Sequence, residues 1–154
     1  MFGPILQSTF LVYSDHAHDQ VTHKSLTDFI GFVGSAPVSW GYKRQGLIAC
    51  STYAAKFSAL CTASEEAIGL RYMLRCLGCN VPSDGTCPTR IFGDNLSVIL
   101  NAQNPAADLS KKACAISFYV VCESIAAGIT TAYWLKGSWN LSDIMTRQVP
   151  TVHF

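Results

Sequence analysis

Apolar segments of strand length alternate with short polar turns over the first third of the chain. They cover residues 10–15, residues 29–34, and a third region made of the stretches 37–42 and 46–51. Val, Ile, Phe, Trp and Tyr are frequent in these segments, and such residues favour the pleated, partly buried surface of a sheet. The pattern predicts that the chain opens with three strands.

The periodicity changes after Ser51. From Ala55 to Leu77, apolar and small residues recur every three or four positions, which is the spacing along one face of an α-helix. Ser51 is a suitable N-cap because its hydroxyl can accept from free backbone N–H groups, and Gly78 is a suitable stop because glycine tolerates the left-handed conformation. One long helix is predicted between them.

Strands and helices alternate in the second half of the chain. The segment 89–95 predicts a short strand that delivers Asp94 to the start of a short helix, which Pro105 ends. A second long helical pattern covers 109–127, and a β-branched and aromatic stretch from Ile129 predicts the fifth strand. With a closing helical turn, this order of elements predicts an α/β fold.

Length and composition favour one compact domain. The chain has 154 residues, of which 49% are hydrophobic and 14% charged, so we expect a single domain over 1–154 with its core in about 10–148. The formal net charge of +1 argues against binding through a broad basic surface, because phosphate contacts require clustered Lys and Arg. Any contact with nucleic acid must therefore be local.

The cysteines and the N-terminal sequence indicate an intracellular protein. The seven cysteines are odd in number and lie mostly in apolar stretches, so they are predicted to be buried thiols. The opening residues show neither a signal peptide nor a membrane-spanning segment. We expect the cytoplasm or nucleus, no membrane association, and a monomer.

Three aspartates stand where predicted elements end or begin. Asp15 closes the first strand, Asp94 closes the fourth and Asp143 opens the closing helical turn. Clustered carboxylates bind hard divalent cations, and two such ions can activate water and support the leaving oxygen in phosphodiester hydrolysis. Each aspartate taken singly is better explained as a cap of a turn or helix, but the three together in this order favour a metal site.

Six segments in the same order resemble the ribonuclease H domain of copia-type retrotransposon polyproteins, over about Tyr13 to Gln148. They are YSD at 13–15, GFVGSAPVSWGYKRQ at 31–45, STYAAKFSAL at 51–60 with SEEAIGLRYMLRCLG at 64–78, TRIFGDNLSVI at 89–99, KKACAISFYVV at 111–121 and NLSDIMTR at 140–147. The resemblance implies the ribonuclease H-like fold, a five-stranded mixed sheet with helices on both faces.

The same resemblance implies an activity and its cofactor. Members of the family cleave the RNA strand of RNA/DNA hybrids with two Mg²⁺ ions held by an Asp, Glu, Asp, Asp tetrad. Asp15, Asp94 and Asp143 match the three aspartates, whereas Lys56 stands at the position of the glutamate. Mg²⁺ or Mn²⁺ is the implied cofactor and an RNA/DNA hybrid the implied partner, read through 2′-hydroxyl groups across its wide minor groove.

Lys56 changes the expected chemistry of the site. Four carboxylates carry a formal charge of −4, whereas three carboxylates and an ammonium carry −2. The ammonium can lose its proton, swing into solvent, or lie among the aspartates as a surrogate cation, and we favour the last two. None of these supplies the missing oxygen ligand, so hydrolysis is predicted to be weak or absent.

Other positions also depart from the family pattern. Ala113 and Tyr119 replace two histidines, Cys122 replaces an arginine, and the segment from His16 to His18 replaces an acidic residue and a tryptophan. Lys43, Arg44 and Asn95 are predicted as contacts to nucleic acid. Trp40, Trp134 and Trp139 are expected to pack in the core or at the sheet edge rather than stack on bases.

Three functions stay open at this point. The first is a residual nuclease, and the second is a non-catalytic, co-opted module that binds nucleic acid or a protein partner. The third is a metal-binding interaction module that uses His16, His18 and Asp19; a zinc site from Cys76, Cys79 and Cys87 is a weaker variant of it. A Ser/His/Asp hydrolase is not supported, since GxSxG is absent.

Overall fold

A mixed β-sheet lies at the centre of the fold. The computed structural model describes residues 3–16, 21–46, 48–104 and 115–142. The elements are β1 (Ser8–Asp15), β2 (Leu26–Val33), β3 (Ala36–Arg44), α1 (Thr52–Cys76), β4 (Thr89–Gly93), α2 (Leu96–Gln103), α3 (Ala115–Ala126), β5 (Thr130–Trp134) and a 3₁₀ turn at Gly137–Trp139.

The order of the strands brings the ends of β1 and β4 together. The five strands follow the order β3-β2-β1-β4-β5, which confirms the predicted α/β fold with a five-stranded mixed sheet. β1, β2 and β3 pair antiparallel, whereas β4 pairs parallel to both β1 and β5. The edge where β1, β3 and β4 end and β2 begins carries Asp15 and is called the Asp15 edge below.

The main core fills the space between one face of the sheet and the helices. Alternate residues of β1 are buried, and Phe10 and Val12 from this strand contribute to the core. Phe57 of α1 is fully buried between the rings of Tyr53 and Phe118, with ring centroids 5.7 Å away in both directions. α1 is therefore held against α3 directly beside Lys56.

The long helix has the predicted ends. The Ser51 hydroxyl accepts from the backbone N–H of Ala54 at 3.2 Å and so caps the first turn. Gly78 follows the helix with φ of +77°, a conformation that glycine adopts without a steric penalty. Within the described ranges, no helix is long and apolar enough to cross a membrane.

Arg71 ties α1 to the segment that leads into β4. Arg71 is 3% exposed, and its guanidinium donates to the carbonyl oxygens of Pro82 and Cys87. Burial lowers the pKa of Arg71, and the neighbouring charge of Arg75 adds to this effect. The side chain thereby fixes the start of the strand that ends just before Asp94.

Two sequence-based predictions are wrong. Residues 46–51 do not continue the sheet where they are described, because the buried Gln45 side chain donates to Thr27 Oγ1 and to the carbonyl of Ala55 and turns the chain toward α1. The cysteines are not uniformly buried: Cys50 and Cys76 are exposed at the two ends of α1, whereas Cys61 is buried. Burial raises the pKa of the Cys61 thiol.

Replacing Gly128 with alanine is expected to destabilise the fold by about 1–3 kcal/mol. Gly128 has φ of +67°, and a Cβ at this position would lie 2.8 Å from the Cα of Gly85. Chemical denaturation measures the loss. Gly69→Ala is the matched control, because no atom lies within 4 Å of a Cβ there and alanine favours the helix; equal midpoints for both variants would contradict the prediction.

Candidate active site

An ion pair occupies the Asp15 edge between α1 and the end of β4. Lys56 Nζ donates to Asp94 Oδ2 at 2.6 Å. The two side chains are 11% and 17% exposed, so both are largely shielded from water. The sequence leaves three possibilities for Lys56: loss of its proton, a position in solvent, or a position among the site carboxylates. The geometry matches the third, since the ammonium lies against Asp94.

The ring of Tyr13 lies on a second side of the ammonium. Lys56 Nζ is 4.1 Å from the centroid of the Tyr13 ring, which is a favourable cation–π distance. Tyr13 is the third-to-last residue of β1, and its ring and Asp94 together hold the Lys56 side chain in place. The motif YSD was interpreted only for its aspartate, so the contribution of Tyr13 was missed.

Asp15 lies close to this pair along β1. Asp15 follows Tyr13 by two residues and lies on the same side of the sheet. The Cα atoms of Tyr13 and Asp15 are therefore about 6–7 Å apart. Asp94 comes directly after β4, the parallel neighbour of β1. The structure thus brings Asp15, Asp94 and Lys56 to one edge, as the resemblance implies.

The segment leading to Asp143 is fixed against β1, although Asp143 itself lies outside the described residues. Asn140 Nδ2 donates to the carbonyl of Val12 at 2.8 Å, and Asn140 Oδ1 accepts from the hydroxyl of Ser142 at 2.6 Å. Both residues are buried, with 4% and 0% exposure. The residue that precedes Asp143 is therefore anchored beside the strand that carries Asp15.

Trp134 positions the backbone of Asp94. Its indole N–H donates to the Asp94 carbonyl at 3.1 Å, and the N–H of Leu135 donates to the Gly93 carbonyl at 2.8 Å. Trp40 lies on the edge strand β3 and Trp139 in the 3₁₀ turn, and at 64% and 74% exposure neither is part of the core. A sequence pattern could not reveal the Trp134 contact, since its partners are about 40 residues apart in the chain.

The three residues predicted to contact nucleic acid lie in two places. Asn95 is the N-cap of α2, and its side-chain oxygen accepts from the N–H of Val98 at 3.1 Å. Lys43 and Arg44 are exposed at the end of β3, two strands from β1 and thus about 10 Å from it. All three are near the Asp15 edge, and their contact to nucleic acid stays a prediction.

A metal centre that uses all three predicted aspartates falls partly outside the described residues, because Asp143 is not among them. Within the described residues, no group of three or more His, Cys, Asp or Glu side chains is placed to hold a metal ion. The cavity beside the ion pair measures about 10 Å³, the space that a single water needs. A divalent ion at Asp94 would also meet the Lys56 ammonium at short range.

The predicted cysteine zinc site is not formed within the described residues, whereas the histidine site lies partly outside them. Cys76, Cys79 and Cys87 form no metal-binding group, and the Cys87 thiol instead donates to Gln7 Oε1 at 3.1 Å. His16 Nε2 is 3.1 Å from the carbonyl of Ala49. The other members of the histidine hypothesis, His18 and Asp19, lie outside the described residues.

Known proteins that are similar to the chain in sequence include two plant polyproteins. They are the "Retrovirus-related Pol polyprotein" of transposons RE1 and RE2 from Arabidopsis thaliana, each 23% identical over 141 residues. The aligned region covers 92% of this chain but spans only 9% of the length of each polyprotein. No protein-family model matches the chain.

Solved ribonuclease H structures share the fold. Ribonuclease H1 of the archaeon Halobacterium salinarum superposes with a TM-score of 0.61 at 14% sequence identity. LC11-RNase H1 from compost superposes with a TM-score of 0.63 at 10% sequence identity. Each match covers 90% of this chain and 91% of the other chain. The foamy viral protease-reverse transcriptase, solved with an RNA/DNA hybrid, gives 0.59 at 12% identity over 90% of this chain and 19% of its own.

The sequence and structure comparisons agree with each other and confirm the resemblance that the motifs predicted. The chain has the ribonuclease H fold and resembles one segment of copia-type retrotransposon Pol polyproteins.

Proposed function

We propose that this chain is a ribonuclease H domain of retroelement origin that binds RNA/DNA hybrids and hydrolyses them weakly or not at all. The observation that carries the proposal is the 2.6 Å ion pair between Lys56 and Asp94. Support for hybrid binding comes from the shared fold, since one structural neighbour was solved in complex with an RNA/DNA hybrid.

The ion pair weakens hydrolysis for two separate reasons. The Lys56 ammonium donates to a carboxylate oxygen that a metal ion would otherwise use, and the positive charge repels a divalent cation. In addition, Lys56 has no oxygen to offer, and Mg²⁺ requires oxygen ligands in near-ideal octahedral geometry. Moving Lys56 into solvent would remove the repulsion but leave the coordination incomplete.

Divalent metal ions, when bound at such a site, activate water and stabilise the leaving oxygen of the phosphodiester. The chain's own residues do something different. Lys56 neutralises Asp94 while the Tyr13 ring shields the ammonium from water, so two of the site side chains stabilise each other. We propose that Asp15 and Asp143 are the carboxylates that remain for any residual metal binding, with Mg²⁺ or Mn²⁺ as the ion.

The melting temperature of the natural chain is expected to change by less than about 1–2 °C on addition of ~10 mM Mg²⁺. A ligand that binds only the native state raises stability by RT ln(1 + [L]/Kd), which is at most about 0.4 kcal/mol if Kd is ~10 mM or weaker. Thermal unfolding is measured at constant ionic strength, with NaCl replacing MgCl₂ in the control. A saturable rise of several degrees with Mg²⁺ alone would refute the proposed loss of metal binding.

Hybrid binding is tested separately, in a buffer without divalent ions, with a labelled RNA/DNA hybrid and a DNA duplex of the same sequence. The proposal expects the hybrid to bind and to stay intact. Rapid cleavage in Mg²⁺ by the natural chain would show that Lys56 does not disable the site. Failure to bind the hybrid would reject the proposed function and favour a module that binds a protein partner.

A further inference from the structure

Two partly exposed tryptophans lie on the Asp15 edge, one on each side of the same loop. Trp134 ends β5 and is 49% exposed, and Trp139 ends the 3₁₀ turn and is 74% exposed. β5 pairs parallel with β4, so its end and the loop after it lie at the edge that carries Asp94. Tryptophan is highly buried on average, and two accessible indole rings beside a candidate active site therefore indicate a contact surface.

Both tryptophans are close to Asp94. The Trp134 indole N–H donates to the Asp94 carbonyl at 3.1 Å, so this ring is already held by the site. On the other side of the loop, a Cβ added to Gly137 would lie 4.0 Å from the Cβ of Asp94. A 3₁₀ turn rises about 2 Å per residue, which places Trp139 roughly 10 Å from Asp94. Trp139 is the more exposed of the two rings and offers the larger surface to a ligand.

The backbone that carries the Trp139 ring is fixed, although the ring itself is exposed. The N–H of Trp139 donates to the Lys136 carbonyl at 2.9 Å, and the N–H of Asn140 donates to the Gly137 carbonyl at 3.1 Å. The Asn140 side chain, which is buried, donates to the Val12 carbonyl at 2.8 Å and ties the turn to β1. Little backbone ordering is therefore needed when a ligand contacts the ring.

The charges around Trp139 suit a nucleic-acid strand. Lys136 is exposed three residues before the ring, and Lys56 neutralises the nearby carboxylate of Asp94. An aromatic ring for a base and an ammonium for the backbone are the groups that bind single-stranded nucleic acids. A protein partner seated on Trp139 would cover the edge that the proposed hybrid crosses, so a nucleobase is the occupant that fits the proposed function.

The base that stacks on Trp139 must have a free face. Inside a continuous hybrid, both faces of every base are covered by the neighbouring base pairs, and aromatic side chains stack on unpaired bases instead. We infer that Trp139 stacks on an unpaired nucleobase of a strand that continues beyond the end of an RNA/DNA hybrid, while Lys136 contacts the backbone of that strand. This inference rests on the proposed function for the hybrid and adds that the preferred ligand carries a single-stranded extension.

The test measures affinities by fluorescence anisotropy in metal-free buffer. The ligands are a blunt RNA/DNA hybrid and the same hybrid with a single-stranded extension of ~6 nucleotides, made of RNA or DNA and placed at either end of its strand. The natural chain is expected to bind at least one extended hybrid about tenfold more tightly than the blunt hybrid. Trp139→Ala is expected to lose this difference and to keep its affinity for the blunt hybrid within about twofold.

Trp40→Ala is the matched control, because Trp40 is 64% exposed but lies four positions before the end of β3. It is expected to keep the preference for the extended hybrid, and Trp139→Phe should keep most of it, since a phenyl ring also stacks on bases. The inference is overturned if Trp139→Ala keeps the preference or if Trp40→Ala loses it equally. A ring that serves a protein partner would give the first of these results.

A 2-aminopurine base in the extension reports stacking in the natural chain, so this measurement does not depend on the stability of any variant. Its fluorescence is expected to fall when the protein binds, because stacking on an indole ring quenches it. An unchanged or increased fluorescence on binding, at every position of the extension, would overturn the inference.

The failure of this inference is distinguishable from the failure of the proposed function. If the natural chain binds the blunt hybrid and gains nothing from an extension, the inference is wrong and the proposed function stands. If the chain binds a single-stranded oligonucleotide through Trp139 but binds no hybrid, the stacking role stands and the proposed function is wrong. If no nucleic acid binds, both are wrong.

Discussion

Replacing Lys56 with glutamate is expected to raise the rate of RNA cleavage in Mg²⁺ by at least about 100-fold over the natural chain. The change restores an oxygen ligand and removes an ammonium that lies 2.6 Å from Asp94. One unit charge pair at ~4 Å is worth about 4 kcal/mol at an effective dielectric near 20, and a hundredfold rate change requires only about 2.7 kcal/mol. The measurement is cleavage of a labelled RNA/DNA hybrid under single-turnover conditions.

Two controls separate the missing ligand from the unwanted charge. Lys56→Met removes the ammonium without adding an oxygen, and it is expected to remain within about tenfold of the natural chain. Asp94→Asn in the Lys56→Glu background should abolish the gain. Equal activity of Lys56→Met and Lys56→Glu would show that repulsion alone disables the site, and high activity of the natural chain would refute the interpretation of Lys56 altogether.

Phe57→Ala is expected to cost about 3–5 kcal/mol of folding stability, a large part of the ~5–15 kcal/mol that a domain of this size has. Phe57 is completely buried between Tyr53 and Phe118, so its removal leaves a cavity that the helices cannot close. The melting temperature should fall by roughly 6–20 °C, followed by circular dichroism.

Tyr72→Ala is the matched control for this variant, because it removes an aromatic ring from the same helix at a position that is 68% exposed. Its loss is expected to stay within about 1 kcal/mol. A similar fall in melting temperature for both variants would contradict the prediction, because alanine favours the helix at both positions and the loss would then not depend on burial in the core. Since Phe57 follows Lys56 directly, the Phe57 variant should also displace the ion pair.

The sequence was most informative where a local pattern has a local cause. The ends of α1 followed from Ser51 and Gly78, and the structure shows the expected cap and left-handed glycine there. The short strand before Asp94 was predicted from an apolar run bounded by turn residues. These features depend on residues that are only a few positions apart, so a single sequence is enough to predict them.

Features that depend on distant residues were not predictable in the same way. The stretch 46–51 is as apolar as the strands, but the buried Gln45 amide turns the chain out of the sheet through partners on β2 and α1. Cys50 and Cys76 lie in apolar surroundings in sequence and yet are exposed, because they occupy the two ends of α1. The apolar character of a segment does not show whether its place in the fold is buried.

The site was predicted in part because the family resemblance identified Asp15, Asp94 and Lys56 as neighbours. The resemblance did not indicate that Lys56 would face the Tyr13 ring, nor that Trp134 and Asn140 would fix the backbone around the site. Those contacts join residues separated by about 40 to 130 positions. They depend on the order of the strands in the sheet, which a local sequence pattern does not predict.

The parallel pairing of β1 with β4 also bears on how the chain folds. The meander of β1, β2 and β3 uses neighbouring segments, whereas Thr9 pairs with Arg90 across a loop that contains the whole of α1. Closing so long a loop costs entropy before its contacts form, so we expect this pairing to form later than the meander. The Lys56–Asp94 ion pair joins α1 to the residue that follows β4, so it depends on this long-range pairing and not on any local segment.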